Sequence, residues 1–184
     1  RNGQYGPEKI GNILSGQTLF WVGPSFGFGF YRAGNISMAF VFDARSNALN
    51  DNVKLPPIRG QLVDSTAVFT DDLCWFFTST REGGRIVNRC YQITRSGIVQ
   101  ATTEADADDG SWLGTIRGKA AAGHLLFAAT DDGIIRVEAD NGQISVTREF
   151  PDTEPFVDAS AQLFAGQEGI YAVTRKEVVL ISIG

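Results

Sequence analysis

The chain has 184 residues, enough for one domain with a sizeable core, and 43% of them are apolar, which excludes a disordered chain. Lys and Arg number 16 against 21 Asp and Glu, a net charge of −5 without the basic footprint that phosphate contacts need, so no nucleic-acid partner is expected. No apolar run is long enough to cross a bilayer as a helix and no signal peptide is present, so no membrane partner is expected; the chain starts at Arg1 rather than Met, so the missing signal decides nothing about a longer parent.

Apolar residues come in short runs punctuated by Gly, Asp and Asn, with almost no helical period, which predicts strands. The first group reads Leu19 to Gly23, a turn at Pro24–Gly27, Phe28 to Ala33, a turn at Gly34–Asn35, then Ile36 to Phe42. Within it Phe26-Gly27-Phe28-Gly29-Phe30 is read as core aromatics on one side of a strand, with an exposed stacking platform as the alternative. A connector, Ile58-Arg59-Gly60-Gln61, leads into a strand of small residues, Asp64-Ser65-Thr66-Ala67. The second group is Leu73 to Thr80, a turn at Glu82–Gly84, Arg85 to Thr94, a turn at Ser96–Gly97, then Ile98 to Thr103. Arg81, Arg85, Arg89 and Arg95 spread along it, with Glu82 among them, and are read as a solvated hairpin. Cys74 and Cys90 belong to no CxxC motif and are expected as buried free thiols, which fits a cytoplasmic location.

The acidic run Glu104 to Gly110 departs from calcium-loop spacing. Its Gly comes one place early, and Arg117 stands where the bidentate Glu belongs. It is read as a solvated connector, with a bound cation as the alternative. The next connector carries Trp112 and repeats the earlier one as Ile116-Arg117-Gly118-Lys119, before the small-residue strand Lys119 to Gly123. His124 is the only histidine and stands beside a turn. The third group is Leu125 to Thr130, Asp131–Gly133, Ile134 to Glu138, Asp140–Gly142, then Gln143 to Glu149. Phe156-Val157-Asp158 echoes Leu62-Val63-Asp64 and opens the small stretch Asp158 to Ala161; from Gly169 a last pair, Ile170 to Thr174 and Val178 to Ile183, ends the repeat.

The group starts at Leu19, Leu73, Leu125 and Ile170 lie 54, 52 and 45 residues apart, about the span of a four-stranded blade. Small residues in the strand before each hairpin are what an axis crowded by inner strands requires. The expected fold is therefore all-β, a β-propeller of about four blades over 1–184, with copies at roughly 10–44, 62–104, 119–149 and 158–184. The last copy lacks an outer strand. The Ile10–Leu14 segment, lost sequence or a second chain in a homo-oligomer would complete the ring.

The stretch Ala128 to Gly142 resembles a repeat of quinoprotein-like propellers: a small-residue strand, an Asp-Gly turn, an apolar strand, an acidic residue and a Gly turn. The resemblance covers about fifteen residues clearly and is nearly silent on function. The docking tryptophan of that type is absent from matching places, since Trp21 and Trp75 are read inside second strands and Trp112 in a connector. The Gly-His and Trp-Asp signatures of WD repeats are missing as well. The segment from Gly27-Phe28-Gly29-Phe30-Tyr31-Arg32-Ala33-Gly34 to Phe42-Asp43 is similar to bacterial propellers that accompany AAA-type ATPases and von Willebrand A domains. That resemblance implies an ATPase-associated protein partner.

No catalytic residue, metal site or cofactor is assigned. A Ser–His–Asp triad needs convergence on a base, and no Ser sits in a nucleophile elbow around which His124 would act. Asp64 and Asp158 hold equivalent places near the axis; they either cap neighbouring turns or face each other as paired acids. Arg59 and Arg117 recur in matched connectors and reach one face, as a binding fork for carboxylates or as struts between blades. The expected function is a non-catalytic interaction or scaffold module that binds protein through Arg59, Arg117, Trp112, Asp64 and Asp158. The alternative is a ligand-binding or enzymatic propeller, hydrolase, lyase or quinoprotein-like, with an axial site.

Overall fold

The computed structural model describes residues 18–33, 36–106, 118–130, 133–148, 161–174 and 177–183. Among them are fifteen strands and no helix. Strands β1 (Thr18–Val22), β2 (Phe26–Ala33), β3 (Ile36–Asp43) and β4 (Ala48–Val53) form one antiparallel sheet in chain order. Strands β5 (Gln61–Phe69), β6 (Leu73–Glu82), β7 (Arg85–Thr94) and β8 (Val99–Asp106) form a second antiparallel set. A third set comprises β9 (Lys119–Ala122), β10 (Leu125–Thr130), β11 (Gly133–Asp140) and β12 (Gln143–Arg148). The last three strands, β13 (Gln162–Ala165), β14 (Gly169–Val173) and β15 (Val178–Ser182), make a sheet of their own in which β15 is an edge.

The hydrogen-bonded sheets number three, not the four separate blades expected from the repeat. The second and third sets share one mixed eight-stranded sheet, because β8 and β12 meet in a parallel bridge at Thr102 and Gln143. Its two edge strands, β5 and β9, come back into contact, so the sheet nearly closes on itself. Three buried clusters separate four packed layers. Phe28, Phe30, Val41, Phe76, Tyr91 and Ile93 lie between the first sheet and β5–β8. Trp75, Phe77, Cys90, Leu126, Ala128 and Val137 lie between β5–β8 and β9–β12. Phe127, Ile134, Leu163, Ile170, Ala172 and Ile181 lie between β9–β12 and the last sheet.

Residue chemistry explains these elements. Strand β6 is dominated by aromatic and β-branched residues, which fit a pleated surface packed on both sides. Its alternation sends Cys74 and Phe76 to the first cluster and Trp75 and Phe77 to the other. Phe76 is a hub: its ring centroid lies 4.7 Å from Phe28, 5.2 Å from Phe30, 5.4 Å from Trp21 and 5.9 Å from Tyr91. Burying each such ring stabilises the fold by about 1.5–3 kcal/mol. The β11–β12 turn has Asn141 at φ 49° and Gly142 at φ 83°, the positive pair that a tight hairpin with right-handed twist demands.

Several sequence expectations change. Strand β4 was not anticipated, because Ala48-Leu49-Asn50-Asp51-Asn52-Val53 has the Asn and Asp of a loop. It exists as an outer strand, and it moves the first group one place: Trp21 lies in the first strand of its sheet, whereas Trp75 lies in a second strand. Small residues make up most of β9 and the Asp64–Ala67 stretch of β5, but β5 also carries Leu62, Val63, Val68 and Phe69, and β1 carries Leu19, Phe20 and Trp21. In the last sheet the first described strand is Gln162–Ala165, with Phe164; residues 158–160 of the expected small stretch lie outside the described residues, as does the 10–14 segment. The alternating aromatics Phe26, Phe28 and Phe30 are core. The arginine-bearing hairpin is not simply solvated, since Arg89 is buried. Cys74 and Cys90 are free. Cys90 stands opposite Phe77, an odd number of places from Cys74, so the thiols project from opposite faces of the sheet and cannot approach each other. No described helix is long and apolar enough to cross a membrane.

Candidate functional site

The strands run between two ends of the molecule. One end carries the β1–β2, β3–β4, β5–β6, β7–β8 and β9–β10 turns; the other carries the connector that enters β5. At the connector end, a cleft of about 610 Å³ opens between β1 and β5. Leu19, Trp21, Phe30 and Leu62 give it an apolar wall, and Arg32, Gln61, Asp64 and Ser65 give it polar groups.

The connector is held there by backbone geometry. Gly60 has φ +71°, and a Cβ on it would run into the Arg81 carbonyl oxygen. Its own carbonyl accepts a hydrogen bond from Arg32 Nη2, which ties the connector to β2 across the cleft. The glycine of the second Ile-Arg-Gly, Gly118, is also crowded, there by the Ala161 carbonyl. Part of the repeated motif is thus a demand for close backbone approach, and the glycine rather than the arginine meets it.

Of the sequence-predicted site residues, Asp64 lines the cleft and Arg59 stands exposed beside Gly60. Asp64 follows a bulge in the β5–β6 ladder, and its Oδ1 accepts the backbone N–H of the next residue, Ser65, at 2.7 Å. Trp112, Arg117 and Asp158 lie outside the described residues, as do Asp108 and Asp109 of the acidic run. Glu104, the first acid of that run, is an ion-pair partner of Arg89.

Sequence reasoning missed the strongest charge cluster. Arg89 is 4% exposed and donates from Nε to Glu104 at 2.6 Å, from Nη2 to Glu82 at 2.6 Å and from Nη1 to Thr80 Oγ1 at 2.6 Å. Burial alone would raise the Glu82 carboxyl. Hydrogen bonds from Arg89 and Thr80, with the charges of Arg89 and Arg59, outweigh it and hold Glu82 below its ordinary range. For Arg89, burial works against the charge, and the two glutamates overcome it. Arg89 alternates with Tyr91 and Ile93 on β7, so it faces the cluster shared with the first sheet, in the middle of a strand buried on both faces. Tyr91 has its hydroxyl buried, and burial pushes its pKa up.

His124 lies at the other end, in a cleft of about 680 Å³ with Asp71, Asp72 and Arg95. Ser65 of the connector-end cleft and Thr70 of the other lie five residues apart along the chain, roughly 16 Å, and His124 lines only the second. Comparison with protein-family models, with curated proteins and with solved structures finds no match to this chain.

Proposed function

We propose that the chain is a non-catalytic, propeller-type interaction module that receives a segment of a protein partner at the connector end. The propeller reading is supported by four layers stacked through three apolar clusters, with β5 and β9 side by side where inner strands would meet. The observation that carries the function is the cleft between β1 and β5. Its wall of Leu19, Trp21 and Phe30 suits an apolar side chain, and exposed Arg59 on its rim suits a carboxylate. Loops on a rigid scaffold are the usual place for recognition.

Two variants test this, Arg59→Glu and Leu62→Asp. With melting temperature unchanged in Arg59→Glu, loss of the proteins captured from extract by the wild type supports the proposal; an undiminished partner set in both variants refutes it. The cleft volume also lies within the range of small-ligand pockets, which favours a second reading, an axial ligand site. That reading requires a small molecule that raises the wild-type melting temperature and leaves the Leu62→Asp variant unmoved.

A further inference from the structure

Once the three clusters are filled, a sheet face remains at each end of the stack. In the first sheet Trp21, Phe28, Phe30 and Val41 pack toward β5–β8. The residues between them in the ladder, Phe20, Val22, Met38 and Phe40, face the other way. The rings of Phe20 and Phe40 lie 5.9 Å apart and within 12° of parallel. Phe20 lies over Gly27 and Phe40, itself buried, over Gly29, where a Cβ would collide with the ring, so this face carries a stacked aromatic pair with Phe20 outermost. In the last sheet Leu163, Ile170, Ala172 and Ile181 point inward, which leaves Phe164, Tyr171 and Leu180 in one cross-strand row with Val173 and Val178 beside it. Nine large apolar side chains are exposed among the described residues, and six of them are here: Phe20 (49%), Val22 (75%) and Met38 (38%) on the first sheet, Phe164 (55%), Val178 (63%) and Leu180 (39%) on the last. Scattered exposed apolar residues need no explanation, but clustered ones mark contact surfaces.

We propose that these two faces bind each other between two copies of the chain, head to tail, closing a ring of two. The handedness of the internal contacts selects this occupant. Every layer meets its predecessor with one side and its successor with the other, as β6 does with Phe76 toward the first sheet and Phe77 toward β9–β12. The exposed side of the first sheet is the predecessor side, and the exposed side of the last is the successor side. Only the last sheet against the first therefore continues the contact already made three times within the chain. Pairing like faces does not. Among the described residues, none of the three buried clusters joins the first and last sheets, as closure within one chain would require. Two copies stack eight layers, inside the usual span of about four to eight blades, and a head-to-tail contact that closes gives a ring. The proposal rests on the layered propeller reading but not on the connector-end partner, which the Arg59 variant tests separately.

The 184-residue chain at tens of micromolar, measured by size exclusion with light scattering, is expected at the two-chain mass. Val22→Asp and Val178→Asp alter side chains that are mostly in solvent, so circular dichroism should be unchanged while each variant falls to the one-chain mass. An equimolar mixture of the two is expected to recover the two-chain mass, since the intact last face of one meets the intact first face of the other. Phe20→Asp with Phe164→Asp repeats the design if either valine variant misfolds. A one-chain mass for the wild type overturns the proposal. So does a mixture that stays at one-chain mass, which signals like-to-like pairing, a wild-type mass that grows beyond two chains, or a two-chain mass in both single variants.

Discussion

The two ends of the molecule hold their charges in opposite ways. At the turn end, Arg45 donates to Ser25 at 2.8 Å and lies 3.7 Å from Asp71, while Arg95 reaches Asp43 at 3.3 Å and Asp72 at 3.5 Å. Arg45–Asp71 and Arg95–Asp43 join turns of the first sheet to turns of β5–β8; Arg45, Asp71 and Asp72 are mostly in solvent, while Arg95 and Asp43 are half-buried. At the connector end one guanidinium is buried between layers against buried Thr80 and half-buried Glu82, with Glu104 reaching it from the solvent side. The difference teaches that the count of ion pairs says little; what matters is how much water each would regain if its partner left.

Breaking the Arg89 cluster gives the largest expected effect. Arg89→Ala leaves Glu82 and Thr80 partly buried without their donor, and the cost expected is about 3–5 kcal/mol, read as a drop in denaturant midpoint. A loss below about 1 kcal/mol would place Arg89 with the surface pairs. Arg89→Met paired with Glu82→Gln is expected to recover part of the loss, because two well-packed groups without charge need no compensation.

Much of this contrast is legible in the sequence, and the illegible part has a physical cause. Strand runs, turns and the repeat follow from local chemistry, as the Gly-punctuated groups around Phe28, Phe76 and Ile134 show. The layer that a side chain faces follows from its parity within the strand, and its depth from its place along it: Arg85 shares the parity of Arg89 but stands exposed at the strand end. Strand β4 is hidden because an outer strand, exposed at Ala48 and from Asn50 to Asn52, asks little of its side chains. The cleft is hidden because it forms between strands forty residues apart, β1 and β5, whose separation no local pattern encodes. Arg32 was overlooked for that reason: its partner is the Gly60 carbonyl, on the next layer.

Acid sharpens the comparison. Glu82 is held below its ordinary value of 4.5, so its folded form binds a proton less readily than the unfolded chain does. Its stabilising contribution is present above that value and is lost as pH falls through the lowered one. In Arg89→Met the hydrogen bond and charge of Arg89 are gone and only Thr80 and Arg59 still oppose burial, so Glu82 is lowered less and acidification should hurt the variant less. The stability gap between wild type and variant is expected to narrow as pH drops below about 4.5; a gap independent of pH would mean that Glu82 is not the partner that matters. At the turn end, Asp43 is lowered chiefly by the Arg45 backbone N–H, so it adds to the same acid limb without depending on Arg89.

The smallest effect belongs to the turn-end pairs. Arg45→Ala and Arg95→Ala are each expected to cost less than about 1 kcal/mol, and the loss should shrink further in high salt. A loss above about 2 kcal/mol in either, measured by urea unfolding, would make that end a clamp and erase the contrast.

The opposed thiols give the layers separate clocks. Burial pushes both Cys74 and Cys90 well above the usual thiol range, so neither reacts while its contact is closed. Cys74 is locked in the contact with the first sheet and Cys90 in the contact with β9–β12. In single-thiol variants, Cys90→Ser and Cys74→Ser, the labelling rate of the remaining sulfur times the opening of one contact and not the other. Unequal rates would rank which layer peels away first, and equal rates would mean that the stack breathes as one body.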